Sequence, residues 1–370
     1  MPVYTAIDGR KDADRRIAQG LLTLKDGFDA VAMPGRTIAD TVLLATWNIR
    51  EFDSAKYGIR GKEPLLYIAE ILSRFDVIAV QEVREDMSAL HTLMRFLGGW
   101  WKYLLTDVTE GSQGNRERMA FLYDSRKITF GGLAGEVVIP PVRKRGELLT
   151  PAKQLARTPF LVGFQAGWFK FTLCTTHILY GEARAIDPER LEEIRVLAEF
   201  LAERAGERHA WARNMILLGD FNIFDTSDET LQAIARAGFV LPPQLQQLPS
   251  NAPKTKHYDQ IAFIAPDVQD QLQLCQAGVF NYFDYVYRQE QEPLYADQMG
   301  AAYLSAKNGA ARSPDERTQY YNEWRTYQMS DHLPMWIELR VDFGREYLRR
   351  KLALQTPPEP IPDAAETRGG

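Results

Sequence analysis

Residues 213–225 contain side chains that could bind a phosphate group and a divalent cation. The apolar run 215–218 predicts a short strand buried on both faces, and Gly219 ends it. Asp220 and Asn222 follow two residues apart, so an extended backbone would point both side chains the same way. A carboxylate is a hard oxygen ligand for Mg²⁺, and an amide NH₂ group donates to phosphate oxygens. An Asx turn after the strand is the alternative interpretation.

Polar side chains stand at or next to the ends of most strands that short apolar runs predict. A layered fold fixes such positions and leaves them open to solvent, so we expect these groups to share one pocket. Taken singly, each would more often be a turn residue or an ordinary core residue, so the hypothesis depends on the whole set. The set is Asn48, Glu82, His177, Asp220, Asn222, Asp259, Asp331 and His332.

Helical segments separate several of these strands. Asp187 and Pro188 mark one helix start, and Thr226 with Glu229 predicts a capping box before a helix that closes at Gly238. Strands with enough helices to cover both of their outer faces predict an α/β fold, in which two packed β-sheets are flanked by helices.

The chain is expected to have three parts. Residues 1–40 are predicted to form a cover segment with a short amphipathic helix broken at Gly27, and residues 41–345 the catalytic domain. A tyrosine-rich insertion at 281–328 could form a specificity lid. The spacer at 140–159, which holds the charge run 143–145, reads as a surface excursion, and a solvated charge run is the interpretation we favour for it. Residues 346–370 are a C-terminal extension, expected to be disordered from 356.

The net charge of -5, from 44 basic and 49 acidic residues, argues against a protein that coats nucleic acid non-specifically, although a local basic cleft is compatible with it. There are two cysteines, and Cys174 lies in an apolar strand pattern that predicts a buried thiol. We expect no signal peptide, no membrane span and no protein partner, and therefore a cytoplasmic location.

Six ordered segments resemble the motifs of the endonuclease/exonuclease/phosphatase superfamily, which includes pancreatic-type deoxyribonucleases, abasic-site endonucleases, inositol polyphosphate 5-phosphatases and neutral sphingomyelinases. The resemblance implies a four-layer α/β sandwich with two mostly antiparallel sheets and the active site at one edge. The segments are Thr46-Trp47-Asn48, Val80-Gln81-Glu82-Val83, Thr176-His177, Gly219-Asp220-Phe221-Asn222, Tyr258-Asp259-Gln260-Ile261 and Ser330-Asp331-His332.

Hydrolysis of a phosphate ester needs an in-line water and neutralisation of phosphoryl charge. Glu82 and Asp331, with Asn48 as a neutral oxygen donor, could hold one Mg²⁺ or Mn²⁺ ion. His332 is a candidate general base, and Asp220 could instead position or deprotonate the water; the sequence leaves both open.

The resemblance also assigns supporting roles. It makes Asp259 the carboxylate that orients His332, and it pairs Glu117 with His177. A salt-bridged surface strand is the alternative interpretation of Glu117, which lies between two arginines. His177 would then be a cation aimed at the scissile phosphate, with Asn222 as a hydrogen-bond donor beside it.

Arginines near the motifs could bind backbone phosphates, which favours a nuclease acting on DNA. The alternatives are a phosphatase or phospholipase-C-like hydrolase for a phosphoinositide, sphingomyelin or another small phosphoester, and a catalytically inactive binding module. The arginines are Arg50, Arg84, Arg116 and Arg118.

Overall fold

The structure is a computed structural model that describes residues 2–52, 56–110, 114–141, 152–264 and 272–353. Its elements are α1 Asp12–Ala30, β1 Thr41–Phe52, α2 Lys62–Leu72, β2 Val77–Arg84, α3 Ser88–Leu97, β3 Trp101–Leu105, β4 Glu117–Asp124, β5 Thr129–Glu136, β6 Phe160–Ala166, β7 Phe169–His177, α4 Pro188–Gly206, β8 Met215–Asp220, α5 Glu229–Arg236, β9 Asp259–Ile264, β10 Gln273–Val279, α6 Ala296–Met299, α7 Ala301–Leu304, α8 Pro314–Gln328, β11 Met335–Arg340 and α9 Gly344–Ala353.

The strands form two mixed sheets in which antiparallel neighbours predominate. The first sheet has the order β10-β11-β1-β2-β4-β3, and the second has the order β5-β6-β7-β8-β9. Each sheet contains one parallel pair, β1 with β2 and β7 with β8. The sequence patterns did not predict β3 or β10, which are the two edge strands of the first sheet.

Alternating side chains along each strand build the layers of the fold. In β1, Leu44 points into the core between the sheets, whereas Leu43 packs against α1, α2 and α3. In β8, Leu218 points between the sheets and Leu217 packs against α4 and α5. All four side chains are fully buried, as expected for strands covered on both faces. The predicted four-layer α/β sandwich is therefore confirmed.

The predicted helix break at Gly27 is wrong, because α1 continues through it to Ala30. A Cβ atom at Gly27 would lie 2.7 Å from the ring of Tyr285. The glycine therefore allows the insertion to pack closely against α1, and it does not end the helix.

Most of the tyrosine-rich insertion belongs to the helical layer that covers the first sheet. Tyr282, Tyr295 and Tyr321 are buried in the same core as α1 and α2. The hydroxyl of Tyr295 donates to the buried carboxylate of Glu63 at 2.9 Å. The expected lid is thus a packed part of the core, and α8 is the part of it that reaches the site described below.

Two local predictions had different outcomes. The side chain of Asp187 caps α4 by accepting from the backbone N–H groups of Glu189 and Arg190, so this predicted helix start is confirmed. The capping box at Thr226 is wrong, because α5 begins at Glu229 with Asp228 as its N-cap.

The structure bears on some of the remaining predictions about the cysteines, the membrane span and the C-terminal extension. Cys174 is buried, as predicted, and burial raises the pKa of its thiol. None of the helices in the described ranges is long and apolar enough to cross a membrane. Part of the predicted C-terminal extension forms α9, whereas the charge run 143–145 and the tail from 356 lie outside the described residues. The boundaries at 40 and 345 stay predictions.

Candidate active site

The strand directions bring the motif residues to one edge of the sandwich. Parallel pairing of β1 and β2 aligns their carboxyl ends, where Asn48 and Glu82 lie. In the second sheet, His177 is the register partner of Asp220, and Asp220 is also the partner of Asp259. His332 directly precedes the short segment that leads into β11, the antiparallel neighbour of β1. Residues from distant parts of the chain therefore converge, as the sequence analysis expected.

Asp220 lies at the centre of the constellation. Its Oδ2 atom is 3.5 Å from Nε2 of His177 and 3.6 Å from Nε2 of His332. The same oxygen accepts a hydrogen bond from Nδ2 of Asn48 at 2.9 Å, and Oδ1 accepts one from the backbone N–H of Asn222 at 2.9 Å. Burial raises the pKa of Asp220, and the two neighbouring histidines oppose this shift. Such a carboxylate can exchange a proton nearer neutral pH than an exposed aspartate.

His332 is backed by Asp259, whose Oδ2 atom lies 2.8 Å from its Nδ1 atom. Burial alone would lower the pKa of His332, but the carboxylates of Asp259 and Asp220 outweigh it and raise this pKa well above its usual value. His332 therefore carries a proton near neutral pH in the free protein. This state suits a proton donor better than a general base.

Glu117 lies 2.6 Å from Nδ1 of His177, and the structure brings this predicted pair together. Burial raises the pKa of Glu117 to about 7, although nearby Arg157 and Arg84 oppose the shift. Burial, followed by Arg157, lowers the pKa of His177 to about 4, and Asp220 acts in the opposite direction. Burial and Arg157 thus favour the neutral form of His177 in the free protein. The role of His177 as a cation aimed at the scissile phosphate stays a prediction.

Arg157 is a site residue that the sequence analysis missed. Its Nε atom lies 2.6 Å from Oε1 of Glu117, and its side chain is only 5% exposed. It belongs to the spacer at 140–159, which was interpreted as a surface excursion. Because a residue between strands has no periodic neighbours to indicate its burial, the sequence carries no local signal for this contact.

Asn48 and Glu82 form the part of the site that best suits a hard cation. Nδ2 of Asn48 donates to Oε1 of Glu82 at 2.9 Å. The buried Oδ1 atom of Asn48 has no hydrogen-bond partner among the described residues, and such an oxygen needs a partner. Glu82 has a φ of 62° at a point where the β2–β4 register shifts, a strained position of the kind found at functional sites.

Asp331, the third predicted ligand, is more exposed than the fully buried Asn48. Its Oδ2 atom is 3.5 Å from Nε of Arg50, and its side chain is 39% exposed. The carboxamide and two carboxylates are the donor set that Mg²⁺ or Mn²⁺ prefers, so the residues fit the predicted ion. The role of Asp331 as a ligand stays a prediction.

A different cation position is less suitable on electrostatic grounds. Ligand atoms of Glu82, Glu117 and His177 all lie within 4.8 Å of one another. Glu117, however, already faces the guanidinium group of Arg157, which would repel a second cation.

Gly219 and Gln81 support the site from the interior of the sandwich. Strand β8 does not end at Gly219, as predicted, but runs through it to Asp220. At Gly219, φ is 145° and a Cβ atom would lie 2.0 Å from the carbonyl oxygen of Thr176, so this strand position requires glycine. Gln81 joins the two sheets, because its Nε2 atom donates to Oγ1 of Thr46 at 3.0 Å and to Oγ1 of Thr175 at 2.8 Å.

Arg50 is oriented by the end of α8. It donates to Oγ1 of Thr326 at 2.6 Å, and its guanidinium carbon lies 3.9 Å from the centre of the Tyr327 ring. With Asp331 on its remaining side, Arg50 has a fixed direction at the rim of the site. The insertion thus positions one of the predicted phosphate-binding arginines.

The other predicted phosphate-binding arginines differ in their exposure and in their hydrogen-bond and ion-pair partners. Arg84 donates to the carbonyl of Asn115, and its charge lowers the pKa of Glu117, which places it near the site. Arg118 is mostly buried and donates to the carbonyl of Glu85 at 3.2 Å. Arg116 is exposed and pairs with Glu85 at 2.9 Å. Arg50 and Arg84 are therefore the better placed of the predicted phosphate contacts.

Comparison with known proteins gives the same family as the motifs. Residues 45–239 match the Endonuclease/Exonuclease/phosphatase family. A curated deoxyribonuclease from Thioalkalivibrio sp. (strain K90mix) is 31% identical over 202 residues, which are 52% of this chain and 49% of that protein. The match therefore spans about half the length of that relative.

Solved structures share the fold at low sequence identity. A family protein from Bacteroides thetaiotaomicron has a TM-score of 0.53 and 18% identity, over 82% of this chain and 99% of that one. A mannosyl-6-phosphatase from B. thetaiotaomicron VPI-5482 has a TM-score of 0.51 and 18% identity, over 80% of this chain and 99% of that one. Since the family match covers both the Asn48–Glu82 edge and the Asp220 strand, the chain belongs to the endonuclease/exonuclease/phosphatase family of metal-dependent phosphoesterases.

Proposed function

We propose that the protein is a nuclease that hydrolyses phosphodiester bonds of DNA with the help of Mg²⁺ or Mn²⁺. The observation that carries the proposal is one buried carboxylate, Asp220, between two imidazoles that each have a carboxylate behind them. Attack on a phosphodiester needs a group that holds water, a donor to the leaving oxygen and a fixed charge pattern. This arrangement can supply all three.

The ionisation states suggest which residue takes which role. Asp220 positions the attacking water and accepts its proton, because His332 already carries a proton and is a poor base. His332 donates to the phosphoryl or leaving oxygen, and Asp259 keeps it charged. One amide hydrogen of Asn222 is bonded to the carbonyl of Ile178 at 2.8 Å, and its second amide hydrogen can donate to a phosphate oxygen.

A bound cation would complete the charge balance. Asn48, Glu82 and Asp331 would hold it, and its chemistry there would be neutralisation of phosphoryl charge. Oδ1 of Asn48, which has no hydrogen-bond partner within the described ranges, supports this assignment. Both cysteines are free thiols, which is compatible with the expected cytoplasmic location.

DNA is favoured as the substrate for two reasons. The relative from Thioalkalivibrio, about half of whose length is matched, is named a deoxyribonuclease. Arg50 and Arg84 stand at the rim with 25% and 26% of their side chains exposed, as contacts to flanking phosphates require. A local cluster of this kind can attract a polyanion even when the net charge is negative.

A substrate panel tests the proposal. Plasmid DNA, RNA, inositol phosphates, sphingomyelin and a sugar phosphate are compared by kcat/KM, each with Mg²⁺ and with Mn²⁺. We expect the highest value on DNA. A higher value on a phosphomonoester or on sphingomyelin would contradict DNA as the substrate and favour the small-phosphoester alternative, and no turnover of any of them would favour the binding module.

Asp259→Asn should shift the pH dependence of activity. Among the carboxylates, Asp259 contributes most to the raised pKa of His332, so its loss should lower that pKa, although Asp220 still opposes the effect of burial. A histidine that must be protonated loses activity as pH rises through its pKa, so the alkaline limb of kcat/KM should move to lower pH. Above the new pKa, we expect a loss of about tenfold per pH unit. An unchanged alkaline limb, with the thermal midpoint preserved, would contradict the role given to His332.

Tyr327→Ala should weaken DNA binding by releasing Arg50. The change removes the ring that lies 3.9 Å from the guanidinium, and a partly buried cation–π contact of about 1 kcal/mol corresponds to roughly a fivefold rise in KM. Tyr327→Phe keeps the ring and should restore KM. Tyr320→Ala is the control on the same helix, because the Tyr320 ring packs on Tyr57 and Tyr303. Equal effects of Tyr320→Ala and Tyr327→Ala would refute this role of Arg50.

A further inference from the structure

Three aromatic rings from separate loops pack against one another, tilted or edge to face, at the catalytic edge of the second sheet. Tyr180 follows β7, Phe224 follows β8, and Tyr258 directly precedes β9. The ring centres are 5.8 Å apart for Tyr180 and Phe224, 5.6 Å for Phe224 and Tyr258, and 6.4 Å for Tyr180 and Tyr258. We call these three residues the aromatic platform.

The inner member of the aromatic platform, Tyr258, lies next to the candidate catalytic residue His332. The ring centre of Tyr258 is 5.5 Å from that of His332, with 33° between the planes. At the outer end, Tyr180 is 40% exposed, whereas Phe224 is 9% exposed. The platform therefore leads from His332 to an aromatic side chain open to solvent.

Cations lie next to the aromatic platform. Nζ of Lys256 is 4.3 Å from the centre of the Phe224 ring. The guanidinium carbon of Arg190 is 4.8 Å from the same ring, and Arg190 donates to the carbonyl of Tyr180 at 2.6 Å. Arg190 is buried and fixes the loop that carries Tyr180. Lys256 is half-buried and can contact a phosphate group of the substrate.

Tyr180 packs against Phe224 and Tyr258, yet 40% of it stays open to solvent, and the hydrolytic chemistry gives this exposed part no role. A purely structural aromatic residue would be better buried, since exposing its ring to water gives up the benefit of burial. An exposed ring beside a phosphodiester site and a cation has the features of a surface that stacks a nucleobase and contacts the neighbouring phosphate.

We infer that the aromatic platform binds an unpaired nucleobase of the substrate strand, on the side of the scissile phosphate that faces His332. This deepens the proposed nuclease function and rests on it. A stacked base must be free of its duplex partner, so the enzyme should act best on single strands or on unpaired ends. Stacking accepts any base, so little sequence preference is expected.

The test compares two substrates with the enzyme chain of 370 residues and Mg²⁺. One is a single-stranded DNA oligonucleotide, and the other is the same backbone made only of abasic residues. On the first, Tyr180→Ala should lower kcat/KM by about 5- to 150-fold, the range for loss of one stacked base. On the abasic strand, the variant should match the wild type, and Tyr180→Phe should match it on both.

Trp168→Ala serves as the matched control, because Trp168 is a 75% exposed aromatic residue in the β6–β7 turn, at the opposite end of β7 from His177. It should change neither rate. Equal losses for Tyr180→Ala on both strands, or no loss on the oligonucleotide, would overturn the inference alone. If the wild type cleaved neither strand, the proposed nuclease function would be refuted. The inference, which rests on that function, would then be refuted as well.

Discussion

Asp220→Asn should lower kcat for DNA hydrolysis by about 10²–10⁴-fold, the usual contribution of a positioned acid or base. The amide keeps the size of the side chain but cannot accept a proton from water. It also removes the charge that lies within 3.6 Å of both His177 and His332. Cleavage of a single-stranded DNA oligonucleotide at saturating Mg²⁺, followed by gel electrophoresis, measures the loss.

The fold should tolerate this change, because a buried carboxylate is costly to desolvate and its amide replacement is not charged. We therefore expect a thermal midpoint close to that of the wild type. Asp225→Asn, an exposed aspartate five positions later in the chain, is the control and should keep its activity. A fully active Asp220→Asn variant would refute the role given to Asp220.

His332→Ala should cause a loss of similar size, also with the fold intact. Because the two residues act in one step, the double variant should be little slower than either single one. Simple multiplication of the two losses would indicate that they act independently, against the proposed mechanism.

Glu82→Gln should raise the Mg²⁺ concentration needed for half-maximal activity. The substitution removes one of two charged ligands in the predicted donor set, and even an outer-shell partner is worth about 10–100-fold in metal affinity or activity. Titration calorimetry with Mn²⁺ provides a readout that does not depend on turnover, and it should show correspondingly weaker binding.

The matched control for this variant is Glu85→Gln. Glu85 is exposed, lies three positions along the chain and pairs with Arg116, so its loss should leave the Mg²⁺ dependence unchanged. Identical Mn²⁺ affinity in Glu82→Gln and the wild type would show that Glu82 is not a ligand.

The sequence was informative wherever a local pattern determines a position. Short apolar runs that end in Asn48, Glu82 or Asp220 place polar groups at strand ends, and the order of the motifs identified the fold that aligns those ends. The resemblance also paired His332 with Asp259, and the 2.8 Å contact between them agrees with that pairing.

The sequence was uninformative where tertiary packing decides. Arg157 contacts Glu117 from an irregular segment. The ring of Tyr285 leaves no room for a side chain at position 27, which explains the glycine there. The burial of the insertion likewise depends on partners far away in the chain. The protonation state of His177 likewise follows from burial and from Arg157. Long-range contacts of this kind leave no periodic trace in a single sequence.

The most direct test of the central claim is Mg²⁺-dependent hydrolysis of bis(p-nitrophenyl) phosphate by the purified chain of 370 residues. The constellation around Asp220 predicts p-nitrophenolate release with Mg²⁺ or Mn²⁺, its loss on addition of EDTA and its return when the metal is restored in excess. Release that continues unchanged in EDTA, or no release with either metal, would contradict a metal-dependent phosphodiesterase site at this edge of the sandwich.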